Sequence, residues 1–205
     1  MDVANPRPAD HPDLGLLLEA LGTYRAARQE FLTALGCEGS NRDPFAEFGE
    51  HVALAVVGGE MAVSRVQKGW DFLDTDGRRV QVRYLANPAG AWVNEHLVDF
   101  RGNGCDRYAL VFFEALDVLG LIVFDREHIA DVGAALNKRH PGQDVTLQLT
   151  AANYRAIAAD PERFAALGAH FTDLSITAVR RELLDVPPDV VEQARAGFGD
   201  PNLAN

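Results

Sequence analysis

The sequence predicts an α/β domain in which a mixed central sheet is flanked by helices. Three observations carry that expectation. Two segments near the start repeat apolar residues at helical spacing. A tight β-hairpin follows them. Two strand-sized apolar runs, Arg107–Glu114 and Val118–Asp125, then precede a tail that alternates helical and extended patterns.

Taken in order, residues 1–12 are polar and proline-bearing and read as a flexible leader. Residues 13–205 read as a single domain with an N-terminal helix and a C-terminal helical appendage. Asp13 to Leu35 is the first helix, with Leu14, Leu17, Leu18, Leu21 and Tyr24 on one face. Asp43-Pro44 opens the second: Asp is a good N-cap, and Pro suits the first helical position. Gly58-Gly59 closes it after Val57. Phe45, Phe48, Val52 and Val56 line its apolar stripe. Glu50 falls among Ala46, Ala53 and Leu54, whereas Glu47 falls beside Asp43 and His51 and reads as more solvated.

The hairpin spans Gly69 to Arg83. Asp74 to Gly77 fits a type I turn, with glycine in the left-handed position that closes a three-residue loop. That loop sets Asp71 opposite Gln81, with Arg83 further along the same face. Trp70, Phe72, Val80 and Val82 then share the other face. A two-residue turn at Asp76-Gly77 would mix polar and apolar residues on both faces. Beyond the hairpin, Asn87–Gly90 is a loop and Trp92–Phe100 is extended. The near-continuous apolar strands 107–114 and 118–125 read as the centre of the sheet. Helices at 126–139, 151–159 and 161–167 surround a strand at Val145–Leu149. A final stretch begins at Phe171, and Pro187-Pro188 separates it from a short helix ending near Phe198.

An acid facing a second oxygen ligand, with a cation two residues on, can hold a hard divalent metal beside a phosphate. This Asp…Gln-x-Arg hairpin resembles the active-site core of the PD-(D/E)xK nuclease superfamily, whose fold is the restriction-endonuclease-like αβββαβ core. The stretch from Ala46 to Asp125 is similar to small bacterial members with a Gly-aromatic-Asp…Val-Gln-Val-Lys core. The resemblance implies a Mg²⁺-dependent endonuclease hydrolysing DNA phosphodiester bonds, in restriction or phage defence, with Mn²⁺ as an alternative ion. It implies that Asp71, Gln81, the Val82 carbonyl and Glu50 hold the metal, Glu47 standing in reserve for Glu50. Gln81 in place of Glu removes one negative charge. Arg83 stands where Lys is expected; it stays protonated, so it can clamp a phosphate but cannot act as a base. A non-catalytic module on the same scaffold, binding nucleic acid or a partner protein, is the competing expectation.

With 205 residues, 47% hydrophobic and 24% charged, the chain can bury a real core. No apolar run reaches membrane-spanning length. Cys37 and Cys105 form no CxxC pair, and a cytoplasmic location is expected. The six histidines lack zinc-type spacing. The net charge of −11 excludes general adhesion to phosphate backbones. Between Arg65 and Arg107, however, seven Lys/Arg meet six acids. Lys68, Arg78, Arg79 and Arg101 are therefore the expected DNA-facing cations. In the loop before Phe100, His96 reads as a polar loop group beside a packed Trp92, or as a general base. Cutting both strands needs two sites, so a homodimer through the leucine stripe of the first helix is also expected.

Overall fold

A computed structural model describes residues 14–62, 69–86, 96–102, 104–114, 116–138, 142 and 144–175. By internal contacts the chain divides into two compact units, residues 1–48 and 49–205. The sequence expectations for 1–13, 87–95 and 176–205, including Trp92 and the Pro187-Pro188 helix, lie outside the described residues.

In the first unit, helix α1 (Leu14–Ala34) ends at Gly36, whose φ of 66° marks a left-handed stop. Leu32 near its C-terminus is buried, but Leu14, Leu17, Leu18, Leu21 and Tyr24 are about half or more exposed. Helix α2 (Pro44–Val57) begins here, and its cap is the expected one: Asp43 Oδ1 accepts the Phe45 N–H at 2.9 Å. Phe45 and Phe48 meet the ring of Phe31.

The buried face of α2 departs from the expected stripe. Glu47, Glu50 and Ala53 are buried at a three-residue spacing, while Phe45, Phe48 and Val52 are partly covered and Val56 is exposed. The reason is chemical. Partners supplied by the folded chain make the acids' burial tolerable, and an apolar-stripe count cannot see such partners. Glu47, expected to be solvated, has no exposed surface. It accepts the Ser40 hydroxyl at 2.5 Å, with Arg42 3.7 Å away and the Cys37 thiol at 3.8 Å.

The second unit is built on a six-stranded sheet of order β1-β2-β3-β5-β6-β8. Its strands are β1 (Glu60–Met61), β2 (Phe72–Leu73), β3 (Arg79–Leu85), β5 (Arg107–Glu114), β6 (Asp117–Asp125) and β8 (Ala169–Asp173). Strands β3 and β5 pair in parallel and every other neighbour is antiparallel, so the sheet is mixed. Between β3 and β5 the chain passes through β4 (His96–Asp99). That strand leaves the sheet to pair with β7 (Thr146–Leu149). A 3₁₀ turn (Arg126–His128) and the short helix α3 (Ile129–Ala135) replace the single helix expected over 126–139. Helix α4 (Ala151–Ala159) starts with a Thr150–Asn153 capping box, and α5 (Pro161–Ala165) follows.

Register assigns the two faces of the sheet. Gln81 pairs with Tyr108 and Arg83 with Leu110, so these four share a face. Tyr108, Leu110, Phe112, Ile122 and Phe124 on that face form the main core with Val98, Phe100, Leu147, Leu149 and Ile157. On the opposite face α2 packs at Gly49. A Cβ there would sit 3.6 Å from Tyr84, 3.8 Å from Val111 and 4.0 Å from Val82.

The hairpin has the expected register, Phe72 opposite Val80 and Leu73 opposite Arg79. Gly77 takes φ 75° and donates its N–H to the Asp74 carbonyl. Trp70 is the exception. It packs against the main core rather than beside Phe72, Val80 and Val82, because β2 begins only at Phe72 and strict alternation stops there. Asp74 is buried. It accepts the N–H groups of Asp76 and Arg78 and a 2.6 Å bond from Arg107. Arg107 also holds Asp125 at 2.9 Å, and His170 closes on the same carboxylate at 3.1 Å. This network staples the turn to the ends of β5, β6 and β8.

Candidate functional site

Asp71 occupies a bend just before β2, where its N–H donates to the Val80 carbonyl at 2.8 Å. Its carboxylate reaches across to β3. Oδ2 accepts the Val82 N–H at 2.6 Å and the Gln81 side-chain amide at 2.7 Å. The same amide nitrogen lies 3.4 Å from the Val82 carbonyl. One carboxamide thus touches an acid oxygen and a backbone oxygen together.

The nitrogen end of an amide is selected by its surroundings, and two neighbouring oxygens select the NH₂ group. Turned by half a rotation, the same side chain presents its carbonyl oxygen to those two. Three oxygens would then converge, which is the donor chemistry a small hard cation takes while keeping several waters. A Mg²⁺ or Mn²⁺ ion would be held there by Asp71, Gln81 and the Val82 carbonyl only once that amide had turned and Arg83 had left the carbonyl. Among the described residues no group of three His, Cys, Asp or Glu side chains could hold a metal. Any such site here depends on the amide and the backbone carbonyl as well as acids.

Arg83 lies on the face of Gln81, about half exposed. Its guanidinium donates to the Val82 carbonyl at 2.7 Å and stands 3.9 Å from Asp71. That pairing is long and solvent-facing, so it holds the arginine weakly. The parallel β3–β5 pairing brings Tyr108 beside Gln81, and Tyr108 meets His96 of β4 at 2.8 Å. Burial lowers the His96 pKa, and the positive charge of Arg83 lowers it further. Burial pushes the Tyr108 hydroxyl well above its ordinary value. His96 is thus neutral and Tyr108 protonated near pH 7.

The structure gathers Asp71, Gln81, Val82 and Arg83 and adds Tyr108, which the sequence reading did not single out. Glu50 is buried on α2, the helix that covers the opposite face of β3. The three expected DNA-facing cations that are described each stand beside an acid. Arg79 grips Asp106 with two side-chain bonds of 3.1 and 3.2 Å, and Arg101 grips Asp99 at 2.9 and 2.7 Å. Arg78 lies 3.7 Å from Asp125 and 3.9 Å from Glu127. Lys68 lies outside the described residues. The buried thiol of Cys105, pushed up to about 11 by burial, offers no nucleophile at neutral pH.

No protein-family model matches the chain, and no curated protein matches it in sequence.

Proposed function

We propose that the second unit carries a restriction-endonuclease-like core and acts as a Mg²⁺-dependent endonuclease on DNA. The carrying observation is the convergence at one amide: Gln81 lies within 2.7 Å of Asp71 Oδ2 and 3.4 Å of the Val82 carbonyl. The bound ion would supply Lewis-acid stabilisation of the phosphate and a more acidic water. Asp71 is fixed for ligation by the Val82 N–H, and Gln81 turns its carbonyl inward. Arg83 leaves the Val82 carbonyl to grip a non-bridging phosphate oxygen, a change that its exposure permits. Glu50, on the helix over the opposite face of β3, has no assigned part in this reading. The setting is the cytoplasm, in restriction or phage defence.

Alanine at Asp71 is expected to abolish both Mg²⁺ binding, read by calorimetry, and plasmid cleavage. A fully active Asp71→Ala protein removes the assignment.

One observation favours a second reading. Arg83 already lies against the Val82 carbonyl and near Asp71, as an internal cation beside the same oxygens. On this reading the site is a non-catalytic module that binds nucleic acid or a partner protein. Arg83→Lys discriminates: nicking gained by the variant indicates an enzyme silenced at this position, whereas two inert forms that bind a partner support the module.

Double-strand cleavage further implies a C2 homodimer, for which the exposed leucines of α1 are the available apolar surface. Light scattering at micromolar concentration should return twice the chain mass with DNA and Mg²⁺. A constant monomer leaves nicking as the activity.

A further inference from the structure

Where the chain enters β5 and β7 and leaves β6, a cleft of about 610 Å³ opens in the second unit. It is lined by Arg78, Asp106, Arg126, Glu127, Asp144 and Val145. Pockets for small ligands run from about 300 to 1,000 Å³. Arg126 is the unusual member of this lining. Its guanidinium lies 6.0 Å from the centre of the buried Phe100 ring and donates one bond to the Cys105 carbonyl at 3.1 Å. Among the described residues no carboxylate stands within ion-pair distance of it, whereas Arg78, Arg79, Arg101 and Arg107 each have one. A guanidinium carries five N–H donors in a planar fork, so a single backbone bond leaves most of them for a ligand. The ring and the carbonyl position the charge without neutralising it, which makes a seat for an anion.

The rest of the lining decides what that anion is attached to. Two arginines face three acids, so the cleft as a whole is negative and repels a ligand with several negative charges. Asp106 is committed to Arg79 through two side-chain bonds. Arg78 and Glu127 stand 3.9 Å apart, a long pair that water screens and a ligand can open. Glu127 and Asp144 therefore supply the negative side of the cleft. We propose that it binds a small zwitterion, a short peptide with free termini, whose carboxylate takes the Arg126 fork and whose ammonium pairs with Glu127 and Asp144. The cleft shares no residue with Asp71, Gln81, Val82 and Arg83, so the inference does not rest on the endonuclease reading.

The test titrates triglycine, its N-acetyl form and its C-terminal amide into the full chain at neutral pH. Binding is read by NMR from the side-chain Nε–H signal of Arg126, which is identified by its loss in Arg126→Gln, and from backbone amides. Triglycine should bind saturably and shift that signal. Acetylation removes the ammonium and amidation the carboxylate. Each should weaken binding roughly tenfold, the worth of one charged hydrogen bond. Arg126→Gln should bind triglycine only as well as wild type binds the amide. The double variant Glu127→Gln with Asp144→Asn should bind it only as well as wild type binds the acetyl form. Both acids are exposed, so their replacement leaves the core intact, and melting confirms the fold of every variant. An acetyl form that binds as tightly as triglycine overturns the zwitterion. Triglycine that leaves the Arg126 signal unmoved, or that binds Arg126→Gln as tightly as wild type, overturns the site.

Discussion

Two clusters of the second unit use the same residue types to opposite ends. At the ends of β5 and β6, Arg107 is held between Asp74 and Asp125 at 2.6 and 2.9 Å, and His170 completes the ring. The Asp74 side chain has no exposed surface and Arg107 only 19%. Beside β3, Arg83 is 52% exposed and 3.9 Å from its carboxylate. The first cluster has each carboxylate closed by strong donors and has no reason to take up a ligand. The second leaves a loosely held cation beside converging oxygens. Closure and burial, rather than the mere pairing of Asp with Arg, separate this staple from the site proposed beside β3.

The sharpest way to break the comparison is to remove the staple. Asp74→Ala leaves the Arg107 charge with Asp125 and the more distant Asp76, and frees the N–H groups of Asp76 and Arg78. It should cost about 3–5 kcal/mol, as the loss of one member of a buried pair does. For a chain of this size that is a fall of roughly 6–20 °C in melting temperature. Mg²⁺ affinity per folded molecule should stay the same, whereas Asp71→Ala should lose the affinity with a much smaller shift in melting. If the two variants lower melting equally, the clusters do not differ in kind.

The staple also carries a pH signature. Burial alone would raise the Asp125 pKa, but hydrogen bonds from His170 and Arg107, and their charges, outweigh it and hold the carboxyl below its ordinary value. A lowered folded-state pKa contributes stability that is full above the unfolded value, near 3.9, and is lost as pH falls through the folded value. The melting difference between wild type and Asp125→Asn should therefore be full near pH 5 and shrink below pH 4. A difference that is flat down to pH 2 would show that the carboxylate's charge contributes nothing.

Much of the hairpin was legible because its information is local. A turn of known type, two-residue alternation and one glycine with positive φ suffice to place Asp71 against Gln81. The cap of α2 was readable for the same reason. The parallel pairing of β3 with β5, which sets Tyr108 beside Gln81, joins residues 27 apart and leaves no periodic trace (Gln81 to Tyr108). The Arg107–Asp74 bond spans 33 residues and is equally silent. Strand β8 was missed because Ala-His-Phe-Thr-Asp at the sheet edge lacks the apolar run that marked β5 and β6. Glu47 misled for another reason: a glutamate counts as polar in any pattern, although the Ser40 hydroxyl and the Arg42 charge allow it to be buried.

The smallest expected effect belongs to the exposed pairs. Arg79 with Asp106 and Arg101 with Asp99 are bidentate, and the hydrogen bonds together with the opposite charge lower the pKa of both acids. Water screens pairs so exposed, and ordinary salt weakens them further. Arg79→Gln and Arg101→Gln should leave melting unchanged. If these arginines leave their acids to meet DNA, each substitution should lower the slope of log affinity against log salt by about one, without altering sequence preference. An unchanged slope would mean that the acids keep their partners when DNA binds. The phosphate-facing charge would then fall to Arg78 and Arg83, whose carboxylate partners stand 3.7 to 3.9 Å away.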